Sequence, residues 1–157
     1  MGCDIHCNLE YKRNRESNWF DIDLYRKNKC FGIDGYEDEP EYWKVSLYNG
    51  RSYFLFGLLA GVRNYNVEPI IEPRGIPDDV SESIKKHYDN WGSDAHTPSW
   101  YTLYELKRAQ KTLNELVLQE LIDAIELRYI QSENYGYKKS LTEDEENNIR
   151  LVFWFDN

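Results

Sequence analysis

The sequence predicts an α+β fold, a single domain over residues 1–157 in which an antiparallel sheet packs against about three helices. Three observations predict it. Residues 3–11 alternate strictly, with Cys3, Ile5, Cys7, Leu9 and Tyr11 on one side and Asp4, His6, Asn8 and Glu10 on the other, the pattern of a half-buried strand. The chain closes on a second apolar run, Ile149 to Phe155, ended by Asp156 and Asn157. Between the two lie Thr102 and Glu105 at capping-box spacing, then a stripe of Leu106, Ala109, Leu113, Val117, Leu121 and Ile125 that reads as one long amphipathic helix. A chain of 157 residues suffices for one core, with the first and last strands in the sheet and the long helix covering one of its faces.

The remaining elements follow in order. Lys12 to Asn18 is a charged turn, and Asn18 to Leu24 alternates less cleanly, which suggests a hairpin. Asp34 to Tyr42 carries five acids and no base, with Gly35 and Pro40, and reads as a solvated loop. Trp43 to Tyr48 is a short strand closed by the Asn49-Gly50 turn. Tyr53 to Val62 is almost wholly apolar and far too short to span a bilayer, so it is a core helix, flanked by Arg51 and Arg63. Arg63 leads through Asn64 and Tyr65 into a loop. Pro69, Pro73 and Pro77 stiffen the next connection and hold Arg74 in a Pro-Arg-Gly turn. Asp78 caps a helix running to about Tyr88, with Lys85, Lys86 and His87 complementing the dipole at its end. After the long helix, a loop with Tyr135-Gly136-Tyr137 and an acidic turn from Thr142 to Glu146 lead to the last strand.

Charge and cysteine usage narrow the function classes. A formal charge of −9 and a pI near 4.9 exclude a nucleic-acid duplex or an anionic membrane as the main partner, because the summed field repels polyanions. A small anionic ligand held by locally grouped arginines remains open, as does a homo-oligomer. Thirteen tyrosines and five tryptophans suit stacking on a planar ligand and suit core packing equally well. Cys3, Cys7 and Cys30 leave one thiol unpaired in any disulfide scheme and no apolar run has membrane length, so a reducing cytoplasm is the expected compartment. Cys3 and Cys7 face away from His6 on a strand, which weighs against a Cys-His-Cys zinc cluster.

The chemistry-bearing pattern is a repeated Asp-x-His. Asp4-Ile5-His6 opens the chain, and Asp94-Ala95-His96 lies between Trp91 and Trp100. On extended backbone this spacing turns carboxylate and imidazole to one face, a pairing suited to a divalent metal such as Zn, Mn or Mg, or to proton transfer by a carboxylate-oriented histidine. Asp4, His6, Asp94 and His96 are the candidate metal ligands, with His6, Asp94 and His96 also the candidate catalytic groups. Arg51, Arg63 and Arg74, joined by Asn8 on the strand face of His6, are the candidate ligand contacts, since guanidinium is shaped for two-point capture of phosphate or carboxylate. Thr102 places Asp94 and His96 just before a helix N-terminus, where the dipole favours anions.

Two resemblances rest on these residues. Gly92-Ser93-Asp94-Ala95-His96 and Asp4-Ile5-His6 resemble motifs of the polymerase and histidinol phosphatase metallo-phosphoesterases, whose corresponding residues belong to a metal cluster that activates water against phosphate esters. The family's first motif continues to a second histidine, where this chain has Asn8, and its barrel of parallel strands and helices needs a longer chain. More of the sequence, Met1 to His6, Leu59 to Arg63, Pro73 to Gly75 and Asp94 to Trp100, resembles a family of small uncharacterised bacteriophage proteins. That resemblance implies a phage accessory protein in the host cytoplasm, acting against host defence through a nucleotide signal. Three readings follow: a metal-dependent hydrolase of a phosphate ester or nucleotide, a nucleotide-sequestering protein without turnover, and a protein-protein inhibitor that presents the acidic Asp34 to Tyr42 loop.

Overall fold

A computed structural model describes residues 2–15, 17–64, 66–133 and 140–157. Tyr65 and the expected Tyr135-Gly136-Tyr137 loop lie outside the described residues. The first strand, β1 (Ile5–Tyr11), and the last, β6 (Ile149–Phe155), pair antiparallel over their full length, Ile5 opposite Phe155 and Tyr11 opposite Ile149. Two short strands, β2 (Phe20–Asp21) and β3 (Tyr25–Lys27), follow β1; β2 adds to its free edge, while β3 pairs with β4 (Tyr42–Lys44) in a separate two-stranded ribbon. The fifth strand, β5 (His96–Thr102), flanks β6, giving the order β2-β1-β6-β5. The α+β expectation holds, with the first and last strands both in the sheet; that they lie side by side is set by the pairing itself.

Alternation in β1 dictates the two layers. Ile5, Cys7 and Leu9 join Leu151, Phe153 and Phe155 on one face, under helices α1 (Tyr53–Ala60), α3 (Leu103–Leu113) and α4 (Leu116–Ser132). Val152 and Trp154 point to the other face, where helix α2 (Glu82–Trp91) covers them with Ile84 and Trp91. Covering on both sides explains why β6 is buried at every position and reads as a continuous apolar run. The short acidic helix α5 (Glu143–Asn147), capped by Thr142, leads into it.

Among the described residues five α-helices form where about three were expected. The long stripe after Trp100 is broken into α3 and α4 at Asn114, which takes a left-handed conformation (φ 53°) and donates its N–H back to Gln110. Asparagine tolerates that conformation better than most residues and so ends a helix that the apolar periodicity alone would carry through. The capping box at the start of α3 forms in both directions between Thr102 and Glu105. Helix α2 begins after Ser81 and runs to Trp91, later at both ends than expected; its start is set back because Asp79 is tied outward to Trp19 and Arg150 and the Ser81 N–H to Glu10.

Candidate functional site

Strand register settles where the two Asp-x-His frames lie. Ile5 and His96 both pair with Phe155, so the frames sit at one end of the sheet, two strands apart, a separation of about 10 Å between backbones. They face opposite ways. Directly paired residues share a face, and His96 stacks on Phe155 with ring centroids 5.9 Å apart, on the side of the main core. His6 pairs with Trp154 and lies on the other face, its ring 4.1 Å from that of Trp91. The sheet stands between the imidazoles.

Each frame is also pulled apart internally. Asp4 receives two hydrogen bonds of 2.7 Å from Arg51, which hold its carboxyl below the ordinary carboxylate range. His6 turns instead to Asp156, 150 residues away, donating from Nε2 to Oδ2 at 2.9 Å; the other Asp156 oxygen accepts the Asp4 N–H. Asp94 is exposed at the end of a 3₁₀ turn, Gly92–Asp94. His96 begins β5, not the turn before a helix, and a bulge with Thr97 at φ 49° follows it. Its Nδ1 lies 3.0 Å from the Thr97 hydroxyl, while Nε2 is buried without a hydrogen-bond partner among the described residues. Among the described residues, no group of three or more His, Cys, Asp or Glu side chains is arranged to hold a metal ion.

The polar row of β1 is engaged by the layer above it. Asn8, 1% exposed, accepts hydrogen bonds at Oδ1 from Lys44 and from His87 Nδ1, the latter at 3.0 Å, and donates to the Val152 carbonyl. Lys44 also reaches the Cys7 carbonyl at 3.0 Å and Asp23 at 2.8 Å, which commits the three donors of its ammonium. Burial raises the Asp23 carboxyl to about 6, and burial, with Lys44 and His6 adding to it, lowers His87 to about 4. His87 is therefore neutral near pH 7 and braces Asn8, which corrects its reading as a charged complement to the helix dipole. Glu10 accepts from Arg150 at 2.6 Å and from the Ser81 N–H at 3.0 Å, pinning the start of α2. A cavity of about 180 Å³ remains between His6, Lys44, Ser46 and His87.

The three arginines divide as sharply. Arg74 stacks 3.6 Å over Trp100, grips both Glu105 oxygens at 2.9 Å and donates to the Trp100 carbonyl, so its guanidinium supports the cap of α3. Arg51 is held by Asp4. Arg63 is exposed and, among the described residues, pairs with no carboxylate; its contact is the Cys3 thiol, whose pKa burial nevertheless raises. The local chain explains its position. Gly61 caps α1 at φ 68°, and Arg63 itself takes φ 50°, so the chain doubles back along the helix. Asn64 fixes the return by accepting from the Asn66 and Val67 N–H groups, and it packs against Gly57, where a Cβ would sit 3.3 Å from its Cγ. The result is a cleft of about 230 Å³ lined by Tyr53, Phe54, Arg63, Asn64, Asn66 and Val67.

No family model, curated protein or solved structure matches this chain. Among the described residues, two of the three non-glycine residues at positive φ, Arg63 and Thr97, adjoin the candidate groups, and strained backbone of this kind concentrates at binding sites. Sequence reasoning missed Asp156, the partner of His6, because only full-length pairing of the first and last strands brings them together. It also missed Lys44 and His87, whose spacing from Asn8 carries no local signal, and Tyr53 and Phe54, which read as core apolar residues.

Proposed function

We propose that the chain binds a small phosphate-bearing ligand of the nucleotide class in the cleft behind α1, without turning it over. The observation that carries this reading is Arg63, a guanidinium with no carboxylate partner among the described residues, at the mouth of a largely apolar cleft. Arginine grips phosphate oxygens at two points, and the Tyr53 and Phe54 rings beside it suit a planar base. Asn66 adds amide contacts. The overall charge of −9 favours a small anion over a polyanion, since one arginine offsets part of a mononucleotide's charge at close range while the whole-molecule field repels a strand. Isothermal titration with ADP and with inorganic phosphate tests it. The wild type should bind ADP more tightly than phosphate, and Arg63→Ala should weaken ADP binding by roughly tenfold or more, as loss of a charge-assisted bidentate contact does. Equal binding by Arg63→Ala would overturn the reading.

A second reading, hydrolysis of a phosphate ester, draws support from His6. Its Nε2 donates to Asp156, and Nδ1, which has no hydrogen-bond partner among the described residues, is the nitrogen placed to act as a general base. The donors of the two frames do not converge, so in this reading His6 and Asp156 act without a shared metal. Phosphodiester turnover that persists in chelator and disappears in Asp156→Asn would favour this reading over sequestration.

A further inference from the structure

The β3–β4 ribbon belongs to neither core. Eight of the twelve large apolar side chains that are exposed among the described residues fall within residues 20–43, among them Phe31, Ile33, Tyr36, Tyr42 and Trp43, each about half exposed. At roughly 100 Å² apiece for half-exposed aromatic rings, they sum to an area that soluble chains rarely leave open without a partner. Across the ribbon Arg26 faces Trp43 and Lys27 faces Tyr42, so Trp43 and Tyr42 project from opposite sides. The ribbon is thus a finger with apolar residues on both faces.

It is a pre-shaped finger. Asn28, buried at its centre, pairs its N–H with the Glu41 carbonyl at 2.8 Å, donates from its amide to the Pro40 carbonyl and accepts from the Cys30 N–H. Successive turns, Ile33 N–H to Cys30 and Tyr36 N–H to Ile33, shape the tip. Val45 bonds back to Leu24, and the Lys44–Asp23 ion pair fastens the base to the body. A two-stranded ribbon without such ties is marginal in water, and one held in shape loses little entropy on docking.

We infer that the tip of this finger, residues 31–43, docks into a basic groove with apolar sockets on another protein. Charge selects the partner. The tip carries Asp34, Glu37, Asp38, Glu39 and Glu41 and no lysine or arginine. Arg26, Lys27 and Lys29 lie at the base on the β3 side, so the acids outnumber the bases five to three and concentrate at the end, which repels polyanions, anionic lipid and a second copy of itself and complements a lysine- or arginine-lined surface. The phosphate cleft after α1 plays no part in this contact.

The test uses the full chain and a labelled synthetic peptide of lysine and leucine that forms a basic amphipathic helix, with a glutamate-leucine peptide as counterpart, followed by fluorescence anisotropy. The basic peptide should bind and the acidic one should not. Asp34→Asn/Asp38→Asn/Glu41→Gln and, separately, Ile33→Ser/Tyr36→Ser should each weaken binding by roughly tenfold or more, the size of a hot-spot loss. The charge-matched control Glu72→Gln/Glu82→Gln/Glu120→Gln should bind within about twofold of wild type, as changes remote from an interface do. All these positions lie at the surface or are half-buried, and circular dichroism checks that each variant keeps its fold. An equal loss in the control would mean diffuse charge attraction. Wild-type binding by Ile33→Ser/Tyr36→Ser, no binding at all, or dimerisation by light scattering that this variant abolishes would each overturn the inference.

Discussion

The two Asp-x-His frames are alike in sequence and unlike in every physical respect that matters for chemistry. Asp4-Ile5-His6 enters a regular strand whose polar side is roofed by α2, so His6 gains a carboxylate partner in Asp156 and ring contacts with Trp91 and Trp154. Asp94-Ala95-His96 straddles a 3₁₀ turn and the start of β5, so Asp94 stays in water while His96 lies on Phe155 with a buried nitrogen unsatisfied among the described residues. Spacing of i, i+2 fixes a shared face only where the backbone is extended at both residues. The turn at Asp94 breaks that condition in the second frame.

The largest test of this contrast is truncation. His6→Ala should cost about 2 kcal/mol, from the lost ring contacts and hydrogen bond, read from the urea midpoint at constant slope. His96→Phe should go the other way. It keeps the stack on Phe155 and removes a buried nitrogen without a partner among the described residues, losing only the Nδ1 contact with the Thr97 hydroxyl, so stability should hold or rise by up to about 1 kcal/mol, whereas His6→Phe should destabilise by leaving Asp156 without its partner. If both phenylalanine variants shift the midpoint in the same direction, the two environments are not as different as the hydrogen bonds imply.

A pH series sharpens the picture of the roof over the first frame. His87 has a folded pKa near 4, below the ordinary 6.5, so the unfolded chain binds its proton first; its contribution is present above pH 6.5 and disappears as pH falls towards 4. Asp23 runs opposite: with a folded pKa near 6 against 3.8 it binds a proton more readily when folded, so its term weakens the fold as pH rises from about 4 to 6. The two slopes oppose each other between pH 4 and 6, and wild-type stability should vary little there. His87→Gln removes one slope and should leave stability falling with pH across that window, measured by urea unfolding at several pH values. A variant curve parallel to the wild type would rule out a titrating His87. The smallest effect should come from Asp4→Asn, where an exposed pair with Arg51 is screened by solvent and the midpoint should not move measurably.

Much of the architecture was legible because it depends on periodicity. The alternation at 3–11 and the apolar run at 149–155 specify two strands of the sheet, one with a polar side, though not their adjacency, and Thr102 with Glu105 marks the start of α3. The long helix was misjudged because apolar spacing runs unbroken past Asn114, and only that residue's tolerance for a left-handed backbone signals the break. The site was harder to see. Arg63 stands out in the sequence as the end of a core helix, whereas Arg74 looks equally available in its Pro-Arg-Gly turn and is in fact closed off by Glu105 and Trp100. Asn8 likewise faces the polar side as expected, yet α2 and Lys44 enclose it. What a polar residue on a strand can reach depends on what covers it, and that is set by chain segments with no local relation to it.

The separation of the two frames is tested most directly by metal. Purified wild type, His6→Ala and His96→Ala, each shown to be folded, would be incubated with Zn²⁺, Mn²⁺ or Mg²⁺, passed through a desalting column and assayed for retained metal. With the two imidazoles on opposite faces of the sheet, no stoichiometric metal should depend on both histidines. One equivalent of metal in the wild type, lost in both variants, would join His6 and His96 in a single site and contradict the account.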